Sequence, residues 1–165
     1  MGESGAPEPI RRSVYIGKVE LMFLGQYNHT IDEKGRITFP SRLRELLADG
    51  AYITQGFDKN LLVMPSARWN AFSERIMKMN MADPAARKLK RRMFAPAAKI
   101  DFDAAGRFII QPELREYAGM ANDVVIVGVG EDIEIWAPEL WKEQKTSLDD
   151  PETTAESFST LDLSF

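Results

Sequence analysis

The sequence predicts a mainly β protein with short helices, an α+β fold in which two internal ββαββ repeats pair into one barrel-like body with pseudo-twofold symmetry. Three observations carry this expectation. The segment "IDEKGRITFPSRLREL" aligns with "FDAAGRFIIQPELREY" at a shift of 71, so Asp32, Gly35, Arg36, Leu43, Arg44 and Glu45 fall on Asp103, Gly106, Arg107, Leu114, Arg115 and Glu116. Further along, "LVMPSARW" lies over "EIWAPELW" at a shift of 72, which brings Trp69 onto Trp141. A unit of about 40 residues buries too little surface to be stable alone, so the two copies are expected to share a core.

Each copy reads as strand, D-x-x-G turn, strand, short helix, strand, strand. In "HTIDEKGRITFP", residues 29–40, the side chain of Asp32 accepts from backbone N–H groups within the turn, and Gly35 takes a positive φ without steric cost; Asp103 and Gly106 repeat the pattern. Past the turn, alternation sends Arg36 and Thr38 to one face of a strand and Ile37 and Phe39 to the other. Pro40 with Ser41, and Pro112, suit the first turns of helices near 41–48 and 112–118. The β-branched and apolar runs "AYITQG" and "LLVM" in copy one, and "VVIVGV" and "IEIW" in copy two, have the content of strands. Between the copies, Trp69, Phe72, Ile76 and Met79 recur at helical spacing and are read as core-packing, and Asp83-Pro84 is a cap and first position for a second helix, "AARKLKRRMFA". Its basic run, Lys88, Lys90, Arg91 and Arg92, is read as a solvated face.

The expected organisation is a flexible N-terminal extension at 1–21, a first unit at 22–65, a helical connector at 66–96, a second unit at 97–145 and an acidic disordered tail at 146–165. No run of about 18 apolar residues occurs, and the first twenty residues lack the apolar centre of a secretion signal, so no membrane span is expected. The chain has no cysteine, which removes disulfide, thiolate-metal and cysteine-nucleophile chemistry and fits a reducing cytoplasm. His29 is the only histidine, so a triad or a histidine metal cluster would have to be built on one residue beside a turn. No catalytic or metal-binding constellation is found, no cofactor is expected, and the chain is read as a non-enzyme.

The net charge of −4 hides an asymmetry. From Arg11 to Arg44 there are seven Lys/Arg against three acids, and from Pro84 to Arg107 seven against two, whereas Glu113 to the end holds thirteen acids against three bases. Binding responds to local potential, so overall acidity does not exclude a polyanionic partner.

The stretches "MFLGQYNHTIDEKGRITFPSRLREL", "DAAGRFIIQPELREYAG" and "IEIWAPELW", taken together, resemble the MraZ family from Met22 to about Gln144. A lone D-x-x-G-R would mean little; the ordered pair is specific. The resemblance implies a cytoplasmic, nucleoid-associated bacterial transcription regulator with two AbrB-like swapped-hairpin units. It further implies a ring-shaped homo-oligomer that binds guanine-rich direct repeats in the promoter of the cell-division and cell-wall gene cluster. The chain departs from the family pattern in the residues that precede "MFLG", which include Arg11 and Arg12.

The expected DNA-binding residues are Lys34, Gly35, Arg36, Thr38, Arg42 and Arg107. Lys34 and Arg36 flank the turn glycine, where little freedom is lost on docking, and arginine donates bidentately to a guanine edge or a phosphate. Copy two has Ala105 for Lys34 and Ile109 for Thr38, so copy one is expected to be the principal reading surface. Arg42, opposite Glu113 in the alignment, is a candidate phosphate contact. Arg44 and Arg115 are expected to fix the fold by pairing with an acid such as Asp32 or Asp103. The alternative reading is an oligomeric scaffold whose basic tips bind an acidic protein partner.

Overall fold

The D-x-x-G turns reverse the chain only briefly, and the strands that leave them pair with the other repeat. In the computed structural model, which describes residues 22–164, β1 (Gln26–Thr30) and β2 (Arg36–Thr38) touch through the single bridge Ile31↔Ile37 and then part. The expected extension at 1–21 lies outside the described residues. Helix α1 (Ser41–Leu46) leads to the hairpin β3 (Ala51–Gln55) and β4 (Leu61–Pro65). Helices α2 (Ser66–Met77) and α3 (Pro84–Phe94) follow. The second repeat supplies β5 (Ala98–Lys99), β6 (Arg107–Ile109), α4 (Pro112–Tyr117), β7 (Asp123–Gly128), β8 (Ile133–Trp136), α5 (Pro138–Asp149) and α6 (Pro151–Phe158).

Strand pairing shows the swap. The six-stranded sheet runs β1-β7-β8-β4-β3-β5, and β2 pairs with β6 in a separate two-stranded ribbon. The first strand of each repeat lies against the third strand of the other: β1 on β7, from Gln26↔Val127 to Thr30↔Asp123, and β5 on β3, at Tyr52↔Lys99 and Ile53↔Ala98. At the centre β4 meets β8, with Leu61↔Ile135 and Val63↔Ile133. Exchanging the repeats leaves the order unchanged, so the expected pseudo-twofold is built into the sheet.

Alternation places Ile31, Ile37, Phe39, Phe108 and Ile110 inside, where they join Leu43 and Leu114 from α1 and α4 in one core. Phe39 and Phe108 meet edge to face at 5.2 Å, and Phe102 closes the cluster at 6.1 and 5.6 Å. Burying one such ring contributes about 1.5–3 kcal/mol, more than an exposed ion pair, which is worth about 0–1 kcal/mol. The ribbon is therefore held mainly from behind, by its apolar face.

Each ββαββ unit is followed by a helix pair, and here the structure departs from the expectation. The segment at 146–165, expected to be disordered, contains the end of α5 and all of α6. The physical reason is a second helix start: Pro151 occupies the first position after Asp150, whose carbonyl accepts from the Thr154 N–H at 3.0 Å, as Pro84 follows Asp83 at the start of α3. Helix α5 is the shifted copy of α2; its Trp141 packs on Trp136 at 5.6 Å and donates from Nε1 to Gln26.

Candidate nucleic-acid interface

The two D-x-x-G-R turns are built alike and joined to each other. Asp32 Oδ1 accepts from the N–H groups of Lys34 and Arg36, both at 2.9 Å, while its Oδ2 accepts from Arg36 Nε at 2.7 Å. Asp103 Oδ1 likewise accepts from Ala105 and Arg107, and its Oδ2 from Arg107 Nε, all at 2.9 Å. Between the turns, Arg36↔Ile109, Ile37↔Phe108 and Thr38↔Arg107 form the ribbon. The Gly35 carbonyl accepts from Ile110 N–H at 2.9 Å and the Gly106 carbonyl from Phe39 N–H at 3.3 Å, so each turn ends on the other's strand.

The ribbon's outer face carries Arg36, Thr38, Arg107 and Ile109, the last 51% exposed. Lys34 is exposed at the tip beside them. Asp32 engages Nε and so holds the Arg36 guanidinium in place, and no hydrogen bond among the described residues takes up its terminal nitrogens. Of the expected contacts, Gly35 is different: it is buried, at φ +81°, with the Arg115 guanidinium packed against it. Its part is conformational. Arg42 is exposed on α1 and borders a groove with Met22, Leu24, Tyr27 and Leu46, outside the ribbon.

Arg44 and Arg115 do not pair with the turn acids, contrary to the expectation. Arg44 donates from Nε to the Phe39 carbonyl at 3.1 Å, and its guanidinium lies against Gly106 of the other repeat. Arg115 donates to the Ile110 carbonyl at 2.9 Å and lies against Gly35. The acids are taken by the arginines of their own turns. No spacing rule signals this crossing, because the contact exists only once the repeats have swapped.

The basic run on α3 is not uniformly solvated either. Arg92 sits between the Phe57 and Tyr117 rings, 5.4 and 5.3 Å from their centroids, and donates to Gln55, the Gly56 carbonyl and the Tyr117 hydroxyl. Lys88 and Arg91 remain exposed. Among the described residues no group of three or more His, Asp and Glu side chains could hold a metal ion, and no helix is long and apolar enough to cross a membrane.

Backbone N–H donors, first that of Arg36 and of Arg107, hold the Asp32 and Asp103 carboxyls below their ordinary value of 3.8, and the arginine side chains add to the effect. A depressed carboxyl stabilises the folded state above its unfolded value and loses that contribution as pH falls through the lowered one. The Asp32→Asn/Asp103→Asn chain keeps the Oδ1 acceptors and loses the charges, so its melting temperature should fall less steeply than wild type as the pH is lowered below the ordinary carboxyl value of 3.8. Parallel melts followed by circular dichroism check this; equal slopes would show that the turn acids do not contribute to the acid sensitivity.

A family model described as "MraZ protein, putative antitoxin-like" matches residues 22–92 and 93–162, so each match takes in a ββαββ unit with all or nearly all of its helix pair. A protein of Herpetosiphon aurantiacus named "Transcriptional regulator MraZ" is 45% identical over 121 residues, 73% of this chain and 85% of that protein. Relatives of the same name from Thermomicrobium roseum, 41% identical over 77% of this chain and 89% of their own length, and from Lachnoclostridium phytofermentans, 40% identical over 87% of this chain and the whole of theirs, agree with it. Two matched repeats that span most of the chain, and coincide with the swapped units, establish that the chain belongs to the MraZ family.

Proposed function

We propose that this chain is a sequence-specific DNA-binding regulator of transcription, and that the β2-β6 ribbon with its two turns is the surface that meets the duplex. The observation that carries the proposal is the joining of the turns: two D-x-x-G-R tips, one from each repeat, form one antiparallel ribbon whose outer face carries Arg36, Thr38 and Arg107 beside Ile109. A two-stranded ribbon fits the major groove of B-DNA. Arg36 suits the O6 and N7 acceptors of guanine, Thr38 and Arg107 lie across from each other beside it, and Lys34 reaches phosphate. The name of the relatives, transcriptional regulator, supports the same reading.

One ribbon with about three basic side chains binds weakly, so useful affinity requires several copies on successive sites at high effective concentration. We place the chain in a ring-shaped homo-oligomer, cytoplasmic and nucleoid-associated, on direct repeats in the promoter of the cell-division and cell-wall gene cluster. Arg42 is a flanking phosphate contact in this arrangement.

One face of B-DNA recurs about every 10–10.5 bp, so the repeats should lie about one helical turn apart. Inserting about 5 bp between them should abolish the cooperative gain, and inserting about 10 bp should restore most of it. Fluorescence anisotropy on the two insertions decides the point. Equal affinity for both and for the natural spacing would mean that copies do not read the repeats jointly, and a lack of promoter preference across a salt series would favour a scaffold with an acidic partner.

A further inference from the structure

The outer face of the β2-β6 ribbon is nearly twofold-symmetric, and one side chain breaks the symmetry where the bases would lie. Ladder bonds join Gly35 to Ile110 and Phe39 to Gly106, so Arg36↔Ile109 and Thr38↔Arg107 are the closely approached pairs between them, with Cβ atoms about 4.5–5.5 Å apart. Exchanging the repeats puts Arg36 on Arg107 but puts Thr38 on Ile109. The face is thus two arginine pairs, one completed by a hydroxyl and the other by an apolar branch.

Ile109 is 51% exposed, while Phe108 and Ile110 on either side of it are buried. A single exposed apolar residue is ordinary. This one is set apart by its place: it is the apolar member of a face otherwise made of Arg36, Thr38 and Arg107, and its cross-strand neighbour is the arginine assigned above to a guanine edge. With neither charge nor donor, it cannot serve a phosphate. It can shield an apolar group of the ligand from water. In the major groove the bases present donors and acceptors, and the one methyl among them is the C5-methyl of thymine.

We infer that Ile109 is a specificity-determining residue that packs on a thymine methyl at the base pair next to the guanine read by Arg36. This rests on the docking of the ribbon in the major groove proposed above. Successive base pairs are about 3.4 Å apart, comparable to the Cβ separation of a close pair, so a ribbon with Arg36 on one base pair sets Ile109 over its neighbour. The contact also gives the ribbon a direction. Lys34 in place of Ala105 breaks the twofold at the tips by charge, where the contact is phosphate; Ile109 in place of Thr38 breaks it over the bases. A symmetric face would read a site alike from either end, whereas direct repeats require one orientation.

Uracil in place of thymine removes the methyl and keeps the base pairing. The test is the affinity of the full-length chain for the duplex recovered with it from cells, with each thymine of one repeat exchanged in turn for deoxyuridine. Fluorescence anisotropy at fixed salt should show a position beside a guanine at which wild type loses about fourfold, the worth of one buried methyl. Ile109→Ser should bind the thymine duplex as wild type binds that uracil duplex, and should no longer distinguish the two. Its mass and melting temperature should match wild type. Should Ile109→Ser fail to fold, Ile109→Val, which stays β-branched and is one methylene shorter, carries the test with a discrimination smaller than that of wild type. A wild type that binds every uracil duplex as tightly as the natural one would overturn the contact, as would a recovered repeat without thymine. So would an Ile109→Ser chain, or in its stead an Ile109→Val chain, with undiminished discrimination, which would assign the methyl to another side chain. The DNA reading survives those results if Arg36→Ala still weakens binding to the natural duplex. A wild type with no preference for that duplex over an unrelated one contradicts the DNA reading, and the contact with it.

Discussion

Gly106→Val lowers the melting temperature by about 5–15 °C, and Gly35→Val by less. Both glycines sit in the left-handed region, at φ +78° and +81°, where a β-branched residue costs about 1–3 kcal/mol. The difference between them comes from the other repeat. A Cβ at Gly35 would stand 3.1 Å from the Arg115 guanidinium carbon, which can give way, whereas at Gly106 it would overlap the Arg44 guanidinium. Displacing Arg44 also endangers its bond to the Phe39 carbonyl, worth about 1 kcal/mol. A total of about 2–4 kcal/mol corresponds to the stated shift for a chain of this size, at about 2–4 °C per kcal/mol. In an Arg44→Ala background the clash is gone, so Gly106→Val should cost about as much as its backbone strain alone. A double-mutant cycle by thermal melts measures this. Additive costs would mean that the two repeats are not coupled through that contact.

Much of the fold is legible in the amino-acid sequence, because it is written there twice. The D-x-x-G turns, the alternation of Ile37 and Phe39 against Arg36 and Thr38, and the strand runs of both copies are local patterns, and the shift of 71 carries the pseudo-twofold. The helix at 151–158 is also written there, as Asp150-Pro151 repeating Asp83-Pro84, although the acidic composition of the segment points to disorder instead. What local pattern does not carry is the partner of each group across the swap. Arg44 and Arg115 match in sequence, yet the glycine each one covers belongs to the other copy, and the acids expected to hold them are already held by Arg36 and Arg107 within a few residues. Composition likewise makes the α3 cations one solvated run, whereas Phe57 and Tyr117 take Arg92 out of it.

Two roles compete for Arg36: the contact with DNA on which the proposed function centres, and the ion pair with Asp32. They have different signatures. An exposed pair adds little to stability, and Asp32 Oδ1 would still accept from two backbone N–H groups without it, so Arg36→Ala should leave fold and assembly nearly unchanged. A lost bidentate contact to a base edge costs about 1–3 kcal/mol per subunit, or about 5- to 150-fold in affinity, and lysine at the same place lacks the fork that would restore it. The measurement is the affinity of wild type, Arg36→Ala and Arg36→Lys for the duplex recovered with the protein from cells, by fluorescence anisotropy at fixed salt, with mass and melting temperature taken on the same samples. The expected result is a loss of that size for both variants at unchanged mass and melting temperature. A folded, assembled Arg36→Ala chain that binds the duplex as tightly as wild type would contradict it.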